Sequence, residues 1–287
     1  MSPAEAPGRP RVVVRDRHRD STQWDGFRPR PNDIVIASCY RAGTTLTQQI
    51  VHLLARGTDD YDRMRNVSPW VDSRVLYPGP ALVESLPSPR FLKSHLPFSA
   101  LPQHATWKYI YLVRDGRDVG LSLYEQCRSL AVDRPLDDEG NPFDYGSPDF
   151  SRFWDEWLEN GHPYWPLWDH IDDWWHARTL PNVLLLHFDA LVADKPAHVR
   201  RIADFLGLPL TPALERTVCE RSSLAHMKGL ELAGKLGKPG PKDATTFVNA
   251  GVRGRWRGRL TAAQNEAYLS QLTIRLSPAC AAWVRSE

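Results

Sequence analysis

Four short apolar runs recur along the chain: Asp33–Ser38, Arg90–Ser94, Trp107–Arg114 and Val183–Phe188. Each is bounded by polar or turn residues, which predicts buried strands. Between them the apolar spacing changes to a helical period over Thr45–Ala55, Asp118–Cys127, Phe150–Asn160 and Lys195–Leu206. In the last, Val199, Ile202, Ala203, Phe205 and Leu206 mark one face, and Gly207 followed by Pro209 stops it. Strands alternating with helices predict an α/β fold, a single domain with a central, mostly parallel sheet flanked by helices. Residues 1–20 are rich in Pro, Arg and Asp and are expected to form a flexible or surface-lying arm, leaving 21–287 as the domain. Asp133–Asp149 and Lys235–Lys242 read as long polar loops.

Bulk composition narrows the function classes. The 287 residues carry a net charge of +2, too near neutral to argue for nucleic acid or an acidic membrane surface. No apolar run is long enough for a membrane helix, and the N-terminal segment has no apolar signal core, so a cytoplasmic protein without membrane insertion is expected. Cys39, Cys127, Cys219 and Cys280 are widely separated, which fits free thiols in a reducing compartment rather than a disulfide or zinc framework. No metal-ligand cluster is evident.

Chemistry concentrates in four segments. In the first, the strand Ile34–Ser38 runs into Cys39-Tyr40-Arg41-Ala42-Gly43-Thr44-Thr45-Leu46 and then a helix carrying Ile50, Leu53 and Leu54. Such a turn aims backbone N–H groups, a helix N-terminus and a cation at one point, which suits a phosphate. It is P-loop-like without being a P-loop, because Gly-Lys-Ser/Thr is absent. An ordinary strand-to-helix turn is the alternative. In the second, Arg90–Pro97, a strand delivers Lys93 and His95 two residues apart, so both can emerge on one side. Histidine suits proton removal near neutrality, and lysine suits an oxyanion in transfer; a strand-end histidine bonded to backbone is the alternative. In the third, an apolar strand ends at Arg114 and a helix follows with Ser122 in its early turns, a fork and a hydroxyl for a second phosphate. An ion pair between Arg114 and Asp118 is the alternative. The fourth is Phe247–Trp256, glycine-rich and basic.

Taken in order, these segments resemble the sulfotransferases that use 3′-phosphoadenosine-5′-phosphosulfate (PAPS). The first is similar to their 5′-phosphosulfate loop, Tyr-Pro-Lys-Ser-Gly-Thr-Thr-Trp, with Arg41 for the lysine and Leu46 for the tryptophan. The second is similar to Arg-Phe-Ile-Lys-Thr-His-Leu-Pro, whose histidine is the family's base. The third keeps the Arg-to-Ser spacing of the 3′-phosphate segment. The fourth resembles Phe-x-Arg-Lys-Gly-x-x-Gly-Asp-Trp, but its Arg-Lys pair is Asn249-Ala250 here, so Arg253 and Arg255 are the nearby cations that could stand in. Leu186–Asp189 and Ser222–Lys228 resemble adenine-contacting segments. Val67-Ser68-Pro69-Trp70-Val71-Asp72 is shared with bacterial members labelled aryl or glycolipid sulfotransferases.

The resemblance implies sulfuryl transfer from PAPS to a hydroxyl of an aromatic, lipid or natural-product acceptor, leaving 3′-phosphoadenosine-5′-phosphate (PAP), with no metal. His95, Lys93 and Arg41 are the implied catalytic residues. Arg41, Ala42, Gly43, Thr44, Thr45, Leu46, Arg114, Ser122, Phe188, Ser222, Val248, Asn249, Ala250 and Gly251 are the implied nucleotide contacts. Trp154 or Trp168 is expected to reach the acceptor pocket from the aromatic region Phe150–Trp175, with Trp70 and Tyr124 nearby. A homodimer is compatible with this reading. Two competing readings are a P-loop-type phosphotransferase and a nucleotide-binding relative that has lost catalysis.

Overall fold

A computed structural model describes residues 11–131, 140, 142–236, 248 and 253–285. The four expected strands are present: β1 (Ile34–Ser38), β2 (Phe91–Ser94), β3 (Lys108–Val113) and β4 (Val183–His187). They form one parallel sheet in the order β2-β1-β3-β4. Ile34 lies opposite both Phe91 and Lys108, and Tyr109 opposite Val183. From β1 the chain passes first to β2 on one side and then to β3 on the other. That reversal opens a crevice beyond the carboxyl ends of the strands, where open α/β sheets place their ligands.

Period-2 alternation divides the sheet between two cores. Ile34, Ile36, Ile110, Leu112, Leu184 and Leu186 face one way, and Val35, Ala37, Tyr109, Tyr111 and Val113 the other. Covering helix α1 (Thr44–Arg56) ends at Gly57, whose φ of 71° lets its N–H reach the Leu53 carbonyl. Two very short helices, α2 (Met64–Val67) and α3 (Pro80–Ser85), precede β2. Then come α4 (Gly116–Leu130), α5 (Phe150–Asn160), α6 (Leu167–Ala177), α7 (Phe188–Ala193), α8 (Lys195–Leu206), α9 (Pro212–Arg221), α10 (Leu224–Leu232), α11 (Ala262–Arg275) and α12 (Pro278–Val284).

Helices α1, α8 and α9 bury Ile50, Leu53, Val199, Ile202 and Val218 in the aliphatic core. Helices α4, α5, α6, α11 and α12 bury an aromatic core that contains Trp107, Trp154, Trp157, Trp174 and Tyr268. Trp154 and Trp168 therefore belong to packing. The expectation that one of them reaches a pocket fails because α5 and α6 turn those rings inward against Trp157 and Tyr268. All four cysteines are free.

The flexible arm expected over residues 1–20 does not hold through its second half. The Asp20 N–H donates to the Asp72 carbonyl at 2.9 Å, and Arg19 is only 6% exposed. A guanidinium nitrogen of Arg19 donates to the His95 carbonyl at 2.8 Å, and Asp16 accepts from the same side chain. Polar composition suggested looseness, but these polar groups are paired, which is what lets them be buried. The first ten residues lie outside the described part.

Candidate active site

The crevice begins at the β1–α1 turn. Arg41 has φ 52° and Gly43 φ 98°, so two residues in three are left-handed and the loop curls around its own N–H groups. Gly43 is required twice over. It supplies the positive φ, and a Cβ there would sit 2.4 Å from Cδ2 of Phe188. No side chain caps the start of α1, so its first-turn N–H groups are left for another acceptor. Behind them the hydroxyls of Thr44 and Ser38 hydrogen-bond at 2.6 Å.

Three cations converge on this turn. Nε of Arg41 donates to the Ser122 hydroxyl at 3.0 Å. Burial lowers the Arg41 pKa to about 10, which leaves it charged at neutral pH. Lys93, at the end of β2, holds Nζ 4.6 Å from the centroid of the Trp70 ring. Burial is the largest influence on it and brings its pKa down to about 8; Asp72 pulls the value up and Arg41 pushes it down. Arg114, at the end of β3, lies 4.8 Å over the Phe188 ring, with one guanidinium nitrogen 3.5 Å from the Asp118 carboxylate.

His95 stands just past β2, with 6% of its surface exposed. Its Nδ1 lies 2.8 Å from the Ser38 carbonyl oxygen. A carbonyl only accepts, so Nδ1 carries the hydrogen and Nε2 is the basic nitrogen of the neutral ring. Burial, with Lys93 next in effect, pushes the imidazole well below its ordinary range. The neutral, proton-accepting form is therefore the resting form at pH 7. The His95 main chain is held on both sides: its N–H by Asp72 at 3.0 Å and its carbonyl by Arg19 at 2.8 Å and His170 at 3.2 Å.

One cavity of about 430 Å³ joins these groups. Its wall brings together Arg41, Gly43, Thr44, Thr45, Leu46, Lys93, His95, Arg114, Ser122, Phe188, Ser222 and Val248. These residues come from six separate stretches of the chain. Residues 31–271 match the sulfotransferase domain. The chain belongs to the sulfotransferase family.

Human sulfotransferase 1C2 is 26% identical over 264 residues, covering 86% of this chain and 84% of the relative. Human sulfotransferase 1E1 is 28% identical over 261 residues, covering 85% of each. Among solved structures, retinol dehydratase in complex with androsterone and the inactive cofactor PAP superposes with a TM-score of 0.72 at 24% identity, over 90% of this chain and 84% of that one. Mouse sulfotransferase SULT7A1 complexed with PAP gives 0.71 at 20% identity, over 92% of each chain. The fold is thus the sulfotransferase fold.

Not every expected residue of this sulfotransferase reaches the cavity. Ala42 is buried and lies off the wall. Asn249, Ala250 and Gly251 lie outside the described residues. Val248 is at the wall, and its N–H donates to the Glu231 carboxylate at 2.9 Å. Of the two arginines near the missing Arg-Lys pair, Arg255 lines the cavity and pairs with Glu125, whereas Arg253 lies in a separate small crevice with Asp115 and Arg117. Leu224, from the segment Ser222–Lys228, also lies on the wall.

Sequence reasoning missed Tyr164 and Trp165, which form the aromatic wall beside His95 together with Trp70. The Gly161 C-cap of α5 and the Pro163-Tyr164-Trp165-Pro166 run were the available sign that the chain turns there. Lys195 was also missed. It lines the cavity and donates to the Ser222 carbonyl. Among the described residues no His, Cys, Asp and Glu grouping could hold a metal ion, and no helix is long and apolar enough to cross a membrane.

Proposed function

We propose that this sulfotransferase moves a sulfuryl group from PAPS to the hydroxyl of a small-molecule acceptor, with His95 as the general base. The observation that carries the reading is the 2.8 Å contact of His95 Nδ1 with the Ser38 carbonyl oxygen, from which the tautomer follows. Its hydrogen is committed to Ser38, so a basic Nε2 belongs to the same cavity as an uncapped helix start and three cations. The residues fit the nucleotide. A turn with Arg41 and Gly43 at positive φ and a helix start without a side-chain cap make an anion cradle, over which the Phe188 ring packs so closely that only glycine fits at 43.

Gly43, Thr44, Thr45 and Arg41 would hold the 5′ end, and Arg114 with Ser122 the 3′-phosphate. With no Arg-Lys pair at 249–250, Arg255 is the nearby cation that would have to turn from Glu125 to meet that phosphate. Phe188, Leu46 and Ser222 would enclose the base. When bound, PAPS supplies an activated sulfuryl group on a phosphate leaving group. His95 Nε2 takes the acceptor's hydroxyl proton as the new bond from oxygen to sulfur forms. Lys93 and Arg41 stabilise the charge that grows on the phosphate side, a contribution of the kind that dominates group transfer of this type. The anionic nucleotide also raises the pKa of His95, making it a stronger base in the complex than in the free protein.

Trp70, Tyr164 and Trp165 give the acceptor end flat apolar faces, which favours an aromatic acceptor. The test is transfer of radiolabelled sulfate from PAPS across phenols, sugars, lipids and hydroxylated natural products, in EDTA. Labelled product from wild type and none from His95→Ala is the expected result. No labelled product from PAPS, with magnesium-dependent transfer of labelled phosphate from ATP in a parallel assay, would overturn the reading in favour of a phosphotransferase.

A further inference from the structure

We propose that Asp72 is a positioning residue for the transfer, holding His95, Trp70 and Lys93 in one arrangement. The inference rests on the sulfotransferase reading above and adds a residue that reading does not use.

Asp72 is fully buried. One carboxylate oxygen accepts from the His95 N–H at 3.0 Å and from the Trp70 indole N–H at 2.8 Å. The other accepts from the Trp24 indole N–H at 3.2 Å. The Trp70 ring, fixed in this way, stands edge-on to His95 with centroids 4.7 Å apart and planes at 89°. The same ring lies under the Lys93 ammonium. The backbone repeats the connection, because Lys93 donates to the Pro69 carbonyl at 2.9 Å and Val71 donates to the Lys93 carbonyl at 3.1 Å. One carboxylate therefore holds the main chain of the proposed base directly and the seat of the proposed cation through an indole.

Burial raises the Asp72 pKa, and the neutral donors with the Arg19 charge pull it back toward the ionised form, so the donors favour its charge without cancelling it. That charge acts on Lys93 and favours the ammonium. The other charged or titratable groups facing this cluster are Arg41 from the β1–α1 turn, Arg19 from the N-terminal segment and His170 from α6. Arg41 opposes the Lys93 ammonium, so Asp72 is what offsets it. An aspartate is required on two counts. An asparagine would keep the volume and could leave its oxygen on His95 and Trp70, but its NH₂ would then face the Trp24 indole donor, and the charge would be gone.

The experiment compares wild type with Asp72→Asn and Trp70→Phe. The Lys93 ammonium is followed by NMR titration of isotope-labelled lysine in the protein without nucleotide, with Lys93→Arg identifying the signal. PAP affinity by calorimetry and kcat with PAPS are measured alongside. In Asp72→Asn the Lys93 titration should move to lower pH, kcat should fall about 10²-fold, and the Kd for PAP should stay within about twofold at pH 6, where the ammonium persists, and weaken toward pH 8. Asp72→Glu should recover part of kcat. In Trp70→Phe, which keeps the carboxylate and an aromatic seat, kcat should fall several-fold with the Kd unchanged. This variant carries the test if Asp72→Asn does not fold. An unmoved Lys93 titration with kcat preserved in Asp72→Asn, or an unaffected Trp70→Phe, would overturn the proposal. If wild type transfers no sulfate, the parent reading fails, while the titration still judges Asp72.

Discussion

Phe188, the first residue of α7, occupies the space that a side chain at Gly43 would need: a Cβ would lie 2.4 Å from one ring carbon and 2.8 Å from the next. The ring at the end of β4 thus dictates a glycine at the head of α1. Gly43→Ala should cost about 1–3 kcal/mol of stability and weaken PAP binding, because it meets both the ring and a φ of 98°. Adding Phe188→Leu should return only the part due to the clash. Thermal melts and calorimetry on the single and double variants separate the two contributions.

His95→Ala should reduce turnover about 10²–10⁴-fold, the usual worth of a positioned proton acceptor. PAP affinity should be nearly unchanged, since the imidazole is not one of the proposed phosphate contacts. Because burial holds the imidazole well below its normal range, the neutral form persists as pH falls through 6.5. The pH profile of kcat/KM for PAPS, which reports the nucleotide-free protein, should therefore stay flat there and turn down only in more acidic buffer. A downturn centred near pH 6.5 would remove His95 as the base.

Lys93 gives a binding signature. In the free protein its pKa is about 8, so a large share of the ammonium is lost as pH rises through that value. A bound anion favours the charged form and raises the pKa. PAP binding at pH 8 should then take up protons, seen as an enthalpy that changes with the ionisation heat of the buffer. Lys93→Arg should abolish that dependence.

Asp33 and Arg90 form an ion pair with both side chains fully buried, with Nε donating to one carboxylate oxygen at 2.8 Å. Asp33 precedes β1 and Arg90 precedes β2, at the end of the sheet away from the cavity. Asp33→Ala strands a buried guanidinium and should cost about 3–5 kcal/mol. A lowered urea midpoint with unchanged PAP affinity of the folded protein is the expected pair of results.

Much of the sheet was legible because its strands are continuous apolar runs, and the observed limits differ by a residue or so at their ends. The first anion turn and Lys93–His95 were legible for a related reason: each motif is contiguous in sequence. Helix α6 was hidden inside an aromatic stretch that could equally have been a pocket wall. Arg19 was illegible because burial of a cation depends on its partners, and beside the local Asp16 one of them, the His95 carbonyl, lies 76 residues along the chain. Trp165 escaped notice for the same reason, since its place beside His95 is set by the turn between α5 and α6.

Ser38 touches both halves of the chemistry at once. Its carbonyl takes the His95 hydrogen, and its hydroxyl meets that of Thr44 at the head of α1. The proposed anion seat and the proposed base therefore share Ser38 as a common neighbour, and a single residue separates the head of α1 from the imidazole.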